Sequence, residues 1–195
     1  VPVLGCVALG GRCRMCGAPI SVMYPAVEVA TASLFLVHYW QSLLLGWPPA
    51  LLFSRLVFAS AMVVLFVVDL QHRILPNVIT LPGVVAGFAS SLFLPPGWLD
   101  ALIGIAVGGG SLLAIGEAYY RFRGEEGLGM GDVKMLAMIG AFLGWQLMLV
   151  TLVLSSFLGS IVGVGLIVTK RSDMKYALPF GTFLAVGAIT SSVIG

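Results

Sequence analysis

Apolar runs of roughly 20 residues, long enough to cross the hydrocarbon core of a bilayer, recur near 25–46, 50–70, 77–94, 98–119, 146–169 and 178–194. A soluble fold would need a charged surface to set against them. The 195 residues supply only ten basic and eight acidic side chains, 9% of the chain, against 59% hydrophobic residues, about a third of the charge usual in soluble domains. An ordinary globular enzyme is therefore excluded. The expected class is all-α, a polytopic transmembrane helical bundle with about six long membrane helices. One further short helix is expected over 133–143, joined at Gly144-Trp145 to the long segment that follows. Brief turns such as Gly46-Trp47-Pro48-Pro49 and Pro95-Pro96-Gly97 link the segments. The chain opens on Val1-Pro2-Val3 without a secretory signal pattern, and is read as a piece of a longer protein. A net charge of +2 gives no reason to expect nucleic acid as a partner; the lipid bilayer is the expected one.

Alternate threading through the membrane gathers the N-terminal segment, 71–76, 120–132 and 170–177 on one side. Those stretches, with Lys134 two residues past the third, hold nine of the ten basic residues: Arg12, Arg14, Arg73, Arg121, Arg123, Lys134, Lys170, Arg171 and Lys175. By the positive-inside rule that side is cytoplasmic. The exception, Arg55, is expected near the outer end of its segment, where a long side chain can snorkel to the interface. The division of the chain is accordingly 1–24, a cytoplasmic cysteine-containing loop, and 25–195, the transmembrane part.

Two carboxylates stand out. Asp69 ends the apolar run from Met62 to Val68, and Asp132 follows Gly127-Leu128-Gly129-Met130-Gly131 at the start of the short run. The threading places both at the same depth on the same side. Either they are capping or snorkelling residues, or they form a pair. Gly129 and Gly131 favour the pair, because glycine gives a backbone that another chain can approach closely, and irregular backbone at membrane depth is tolerated only where it is buried or lines a wet cavity. Neighbouring carboxylates share a proton, which sets an acid and a base at one address. The ionised member can deprotonate a water attacking a peptide carbonyl while the other polarises that carbonyl, which is aspartic proteolysis. Lys134 either tunes the pair's charge or, more simply, anchors the loop to lipid phosphate. His72 reads as a polar flank, and Glu125 and Glu126 as a solvated loop.

Gly129-Met130-Gly131-Asp132-Val133-Lys134, with Asp69 in the stretch from Val68 to Asn77, resembles the bacterial type IV prepilin peptidases, membrane aspartic proteases of the GxGD class. Gly11-Arg12-Cys13-Arg14-Met15-Cys16-Gly17-Ala18-Pro19-Ile20, Tyr24-Pro25 with Glu28, Ile79-Thr80-Leu81-Pro82 and Leu178-Pro179-Phe180-Gly181 are similar to further family patterns in the same order. The resemblance implies cleavage of the basic leader of prepilins or pseudopilins at the cytoplasmic face of the inner membrane. Asp69 and Asp132 would be the catalytic pair, on a loop carrying Gly129, Gly131 and Lys134. It implies no cofactor for proteolysis, but S-adenosylmethionine wherever the new N-terminus is also methylated.

Departures from the family are local. Members typically carry two Cys-X-X-Cys pairs that could bind zinc, whereas Cys13 and Cys16 form the single pair here and Cys6 does not complete a second. Reduced cytoplasmic thiols are the competing reading. Glu28 either lines a methyl-transfer or substrate region or makes a buried hydrogen bond to a neighbouring helix. Thr182 stands where members often have a second proline. A transporter or channel with interfacial carboxylates is the rival from another class. Different substrates on the same fold, as in preflagellin peptidases or presenilin relatives, and an inactive scaffold are the others. Oligomeric state is not legible.

Overall fold

The computed structural model describes residues 2–124, 129–168 and 179–195. Lys170, Arg171, Lys175, Glu125, Glu126, Gly127, Leu128 and Leu178, which entered the sequence argument, lie outside the described residues. The described residues are all helix apart from turns and one isolated bridge between Arg12 and Pro19. In order run α1 (Pro2–Ala8), α2 (Met23–Leu45), α3 (Pro49–His72), α4 (Asn77–Ser91), α5 (Trp98–Arg123), α6 (Met130–Val168) and α7 (Phe180–Ile194). Proline sets several starts, since its fixed φ and missing N–H suit the first turn or the residue before it. Pro48-Pro49 opens α3, Pro76 precedes α4 and Pro179 precedes α7.

The all-α membrane architecture stands, with two refinements of length and one of the N-terminal segment. Among the described residues three helices are long and apolar enough to cross a membrane, over Pro49–His72, Trp98–Phe122 and Met130–Leu166. The expected crossings at 77–94 and 178–194 are the 15-residue helices α4 and α7, each about 22 Å long at about 1.5 Å per residue. The expected short helix is the first limb of α6. Its join to the second limb is at Gly144, whose φ of 79° and ψ of 171° interrupt the helix. Glycine is required there twice over, because the backbone is left-handed and a Cβ would lie 2.9 Å from Pro96 Cβ. The segment 1–24 is not wholly loop, since α1 occupies its first residues.

The first limb of α6 is the core. Met135, Leu136, Met138 and Ile139 are fully buried against Phe58, Met62 and Leu65 of α3 and Leu184 of α7. Outside the core, large side chains such as Leu36, Phe53, Phe93, Phe157 and Ile161 are exposed, the arrangement of a protein whose solvent is lipid. Small and hydroxyl residues let helices approach, as expected where apolar burial alone gives no drive to associate. The Thr151 hydroxyl on α6 donates to Leu147 O at 2.8 Å and shares a 3.0 Å hydrogen bond with Ser191 Oγ on α7, and Ser155 Oγ donates to Phe183 O at 3.0 Å.

Contacts between helix ends give the bundle two distinct poles. At one, Gln71 Nε2 donates to Met23 Sδ at 2.8 Å, Lys134 meets Asn77, and Asp69 meets Thr182. At the other, Gln41 Nε2 donates to Val193 O at 2.6 Å, joining the ends of α2 and α7. The ends of α2, α3, α4, α6 and α7 that the threading assigned to one side therefore do share a pole.

Arg55 departs from expectation. It is 7% exposed rather than spread to the interface, with its guanidinium carbon 5.8 Å from the centroid of Trp47. The α2–α3 turn folds the Trp47 ring over the first turns of α3, and a cation gains from a π face that excludes water. Among the described residues Arg55 Nε and Nη1 nevertheless have no hydrogen-bond partner, nor does Nε2 of the fully buried His38, whose Nδ1 pairs with Gln41 Oε1 at 3.0 Å. Arg55→Met keeps the apolar stem and removes two orphaned donors. It is expected to leave stability unchanged or raise it by up to about 2 kcal/mol. Thermal unfolding in detergent tests this, and a melting point lowered by several degrees would show that the Trp47 contact outweighs the desolvation.

Candidate active site

α3 carries its apolar face down to Asp69 in its last turn and then stops. Arg73 takes the left-handed conformation, φ 55°, and its N–H donates to Asp69 O at 2.8 Å, so the cap fixes the turn that bears the carboxylate. Asp69 is 5% exposed. Its Oδ2 accepts two hydrogen bonds from the first turn of α7, from Thr182 N–H at 2.6 Å and Thr182 Oγ1 at 2.9 Å. The four leading N–H groups of a helix have no partner within it, and a carboxylate is favoured at that positive end. Asp69 thus supplies from α3 the cap that Pro179 cannot give α7 with its own side chain. The approach needs Gly181, where a Cβ would lie 2.9 Å from Asp69 Oδ2.

Asp132 sits at the opening of α6, half-buried, its N–H donating to Gly129 O at 3.0 Å. Gly131 accepts the close approach foreseen for the glycine-rich turn, with Leu75 as the neighbour: a Cβ would lie 2.8 Å from Leu75 Cβ. The side chain so accommodated belongs to the link between α3 and α4, so the turn before Asp132 is packed on the segment just after Asp69. Both carboxylates line one cavity of about 880 Å³, with Gly129, Arg73, Asn77 and Lys134 on its wall. Two helices far apart in sequence deliver one acidic side chain each to a single space at one pole.

Lys134 takes a part that neither sequence reading described. Its ammonium donates to Asn77 Oδ1 at 2.8 Å, bracing the start of α4 against α6 beside the cavity. Asn77 and Thr182 were not singled out as site residues. Asn77 closes the motif stretch begun at Val68, which was a usable signal. Thr182 was visible only as a departure from a family pattern.

The comparisons with known proteins now bear on this geometry. The model of the type IV leader peptidase family matches residues 56–164, and that of the bacterial peptidase A24 N-terminal domain matches residues 1–42. The chain belongs to the type IV leader peptidase family. Curated relatives named prepilin leader peptidase/N-methyltransferase include those of Aeromonas hydrophila, 39% identical over 192 residues, 95% of this chain and 63% of the relative, and Pseudomonas putida, 39% identical over 194 residues, 95% and 64%. That of Myxococcus xanthus is 41% identical over 167 residues, 84% of this chain and 48% of the relative. The chain thus spans under two thirds of the length of these leader peptidases. No solved structure matches it.

Cys13 and Cys16 of this family member share one tight turn. Cys13 N–H donates to Ala18 O at 2.8 Å and Gly17 N–H to Cys13 O at 2.9 Å, with Gly17 at φ 67°. The backbone N–H of Cys16, then that of Met15, then the Cys16 side chain hold the Cys13 thiol below its ordinary value, because hydrogen bonds to a thiolate favour it. The turn thus offers a zinc ion two thiolates. Among the described residues no group of three or more His, Cys, Asp and Glu side chains could share a metal, and Cys6 stands apart in α1. Such a set does not fit a closed four-ligand site. The lowered Cys13 thiol predicts alkylation by iodoacetamide whose rate rises with pH through a midpoint below that of an ordinary cysteine. A midpoint at or above the ordinary value in Cys6→Ser/Cys16→Ala protein would show that the backbone donors do not act; the Cys16 side-chain contribution, which ranks last of the three, is removed in that background.

Glu28 Oε2 accepts the Val3 N–H at 2.6 Å, a bond from α2 to the first turn of α1. The hydrogen bond to a neighbouring helix that one sequence reading expected is thus formed.

Proposed function

We propose that this chain is a membrane aspartic endopeptidase that removes the leader peptide of type IV prepilins or pseudopilins, at the cytoplasmic face of a bacterial inner membrane. The observation that carries the reading is the delivery of Asp69 and Asp132, from the end of α3 and the start of α6, to one cavity at one pole of the bundle. The name of the relatives, prepilin leader peptidase/N-methyltransferase, supports the substrate class. A basic leader followed by an apolar helix suits that placement, since the apolar part can remain in lipid while the scissile bond reaches the pole where the site opens. Basic residues of the leader are drawn to anionic headgroups of the inner leaflet.

In the reaction one aspartate is ionised and the other protonated. The carboxylate takes a proton from water as the water oxygen bonds to the scissile carbonyl carbon, and the acid gives its proton to the carbonyl oxygen. Collapse of the resulting diol breaks the C–N bond. The first aspartate returns its proton to the leaving nitrogen, and the second recovers one from a diol hydroxyl, so both states are restored. No cofactor enters these steps. If the chain also methylates the new N-terminus with S-adenosylmethionine, that chemistry belongs to the segment 1–24 and Glu28, apart from the carboxylate cavity. The transporter reading is weaker, because transport sites sit near the midplane and both carboxylates here are at one pole. The test is cleavage of a prepilin in liposomes by the parent and by Asp69→Asn and Asp132→Asn. Parental activity in either variant would defeat the assignment.

A further inference from the structure

The cavity that holds the carboxylates has an apolar wall that the chemistry above does not use. It reaches between α5 and the second limb of α6, where Leu112, Ile115, Leu152 and Ser156 line it. Ile115 is 53% exposed and Ser156 is exposed, so the wall is open on this side. Helix register shows what it opens to. Gly104 of α5 meets Gly140 and Gly108 meets Leu136, so one turn further on Leu112 stands level with Asp132. From there α5 continues to Arg123, about 16 Å at about 1.5 Å per residue. The second limb runs antiparallel to α7, with Thr151 against Ser191 and Ser155 against Phe183. Ser156 is therefore near the level of Asp69, which Thr182 meets, and the limb continues about 18 Å past it to Val168. That continuation exposes Phe157, Ile161, Val164 and Val168. On this side lipid reaches past the carboxylates, and the gap between the two helices opens sideways into the bilayer.

We propose that this gap is the port through which the substrate enters from the bilayer, and that Ile115, Leu152 and Ser156 bind the apolar residues that follow the scissile bond. The inference rests on the proteolytic reading above and deepens it by giving the site an entry path. Continuity fixes the occupant: one cavity holds both carboxylates and this wall, so a chain bent to the carboxylates lays its neighbouring residues on the wall. A basic leader is costly to bury in hydrocarbon, whereas the apolar helix after it is at home there. The helix thus arrives through the gap while the leader stays among the headgroups. Contacts remote from the reacting atoms are made equally before and during the chemical step, so they set KM rather than kcat. A second apolar cavity, of about 950 Å³, lies between α2, α3 and α7 and is lined by Ala30, Phe66 and Ile189, but neither carboxylate is on its wall.

Two measurements test the port. In liposomes, Ile115→Trp and Ser156→Trp fill the gap and are expected to raise KM for prepilin about tenfold or more with little change in kcat. Ala30→Trp, in the second cavity, should cleave with parental constants. Cross-linking is the gentler probe. In Cys6→Ser/Cys13→Ser/Cys16→Ser protein made inactive by Asp132→Asn, Ser156→Cys is expected to form a disulfide with prepilin that carries a cysteine in the first two turns after the scissile bond. Ala30→Cys should form none.

Parental KM in both tryptophan variants, or cross-links at Ala30→Cys in place of Ser156→Cys, would overturn the port and leave the protease standing so long as Asp69→Asn is inactive. A fall in kcat at constant KM would likewise overturn it, by assigning the wall to support of the carboxylates. Where a tryptophan variant melts well below the parent, the cross-links decide. A parent that cuts no prepilin, or an Asp variant that cuts at the parental rate, removes the proteolytic reading and this inference with it.

Discussion

Asp69→Asn and Asp132→Asn are each expected to lower prepilin cleavage by at least about a thousandfold, since a positioned acid or base contributes about 10²–10⁴ and each aspartate serves in both halves of the reaction. The substitution is a clean one at Asp69. An amide oxygen still accepts from Thr182 N–H and Oγ1, so the tie between α3 and α7 survives while the charge and the titrating proton are lost. Melting temperatures close to the parent's should accompany the loss. The double variant should be no worse than either single one, because residues that act as a unit are not additive. A double variant that falls by the product of the two single effects would show two independent contributions instead of a pair.

The second large effect is structural. α5 and α6 cross at Gly104 and Gly140, where backbone meets backbone: a Cβ on Gly104 would lie 2.5 Å from Gly140 O, and one on Gly140 would collide with the Gly104 carbonyl. Overpacking against side chains costs about 1–3 kcal/mol because they can shift; backbone cannot, so Gly140→Leu is expected to cost about 3 kcal/mol or more. It should also abolish cleavage, because Gly140 and Asp132 share the first limb of α6 and a displaced limb takes the carboxylate with it. Gly110, on α5, meets nothing within 4 Å, and Gly110→Ala should be neutral or stabilising by up to about 1 kcal/mol through helix propensity. Differential scanning fluorimetry with the cleavage assay reads both. A parental melting point for Gly140→Leu would mean that the two helices do not approach as described.

Long-range features of this kind mark the boundary of what the sequence made legible. Apolar runs announce helices through local composition, so α3, α5 and the two limbs of α6 were readable, and Gly144 was readable as their break. The threading followed from the apolar runs, with the charges orienting it, and it placed Asp69 and Asp132 at one depth. Pairing partners are another matter. Thr182 and Asp69 are 113 positions apart, and neither carries a local pattern that names the other. Arg55 misled for a related reason: snorkelling is the general habit of a lone cation near a helix end, and only the fold of the α2–α3 turn reveals Trp47 over it. The length of α4 was overread because the apolar residues Leu92-Phe93-Leu94 continue past its end, and that of α7 because the helix starts only after Pro179.

That shortness has a consequence for the surrounding lipid. α4 and α7 are about 22 Å long, against a hydrocarbon thickness of about 30 Å, and both begin at the pole where Asp69 and Asp132 lie. A bilayer meets a short apolar surface by thinning against it. Thinning of the leaflet at that pole would draw headgroups and water down toward the carboxylates. On the proteolytic reading, the mismatch between the helices and the membrane that holds them would be what brings the second substrate, water, to a site embedded in oil.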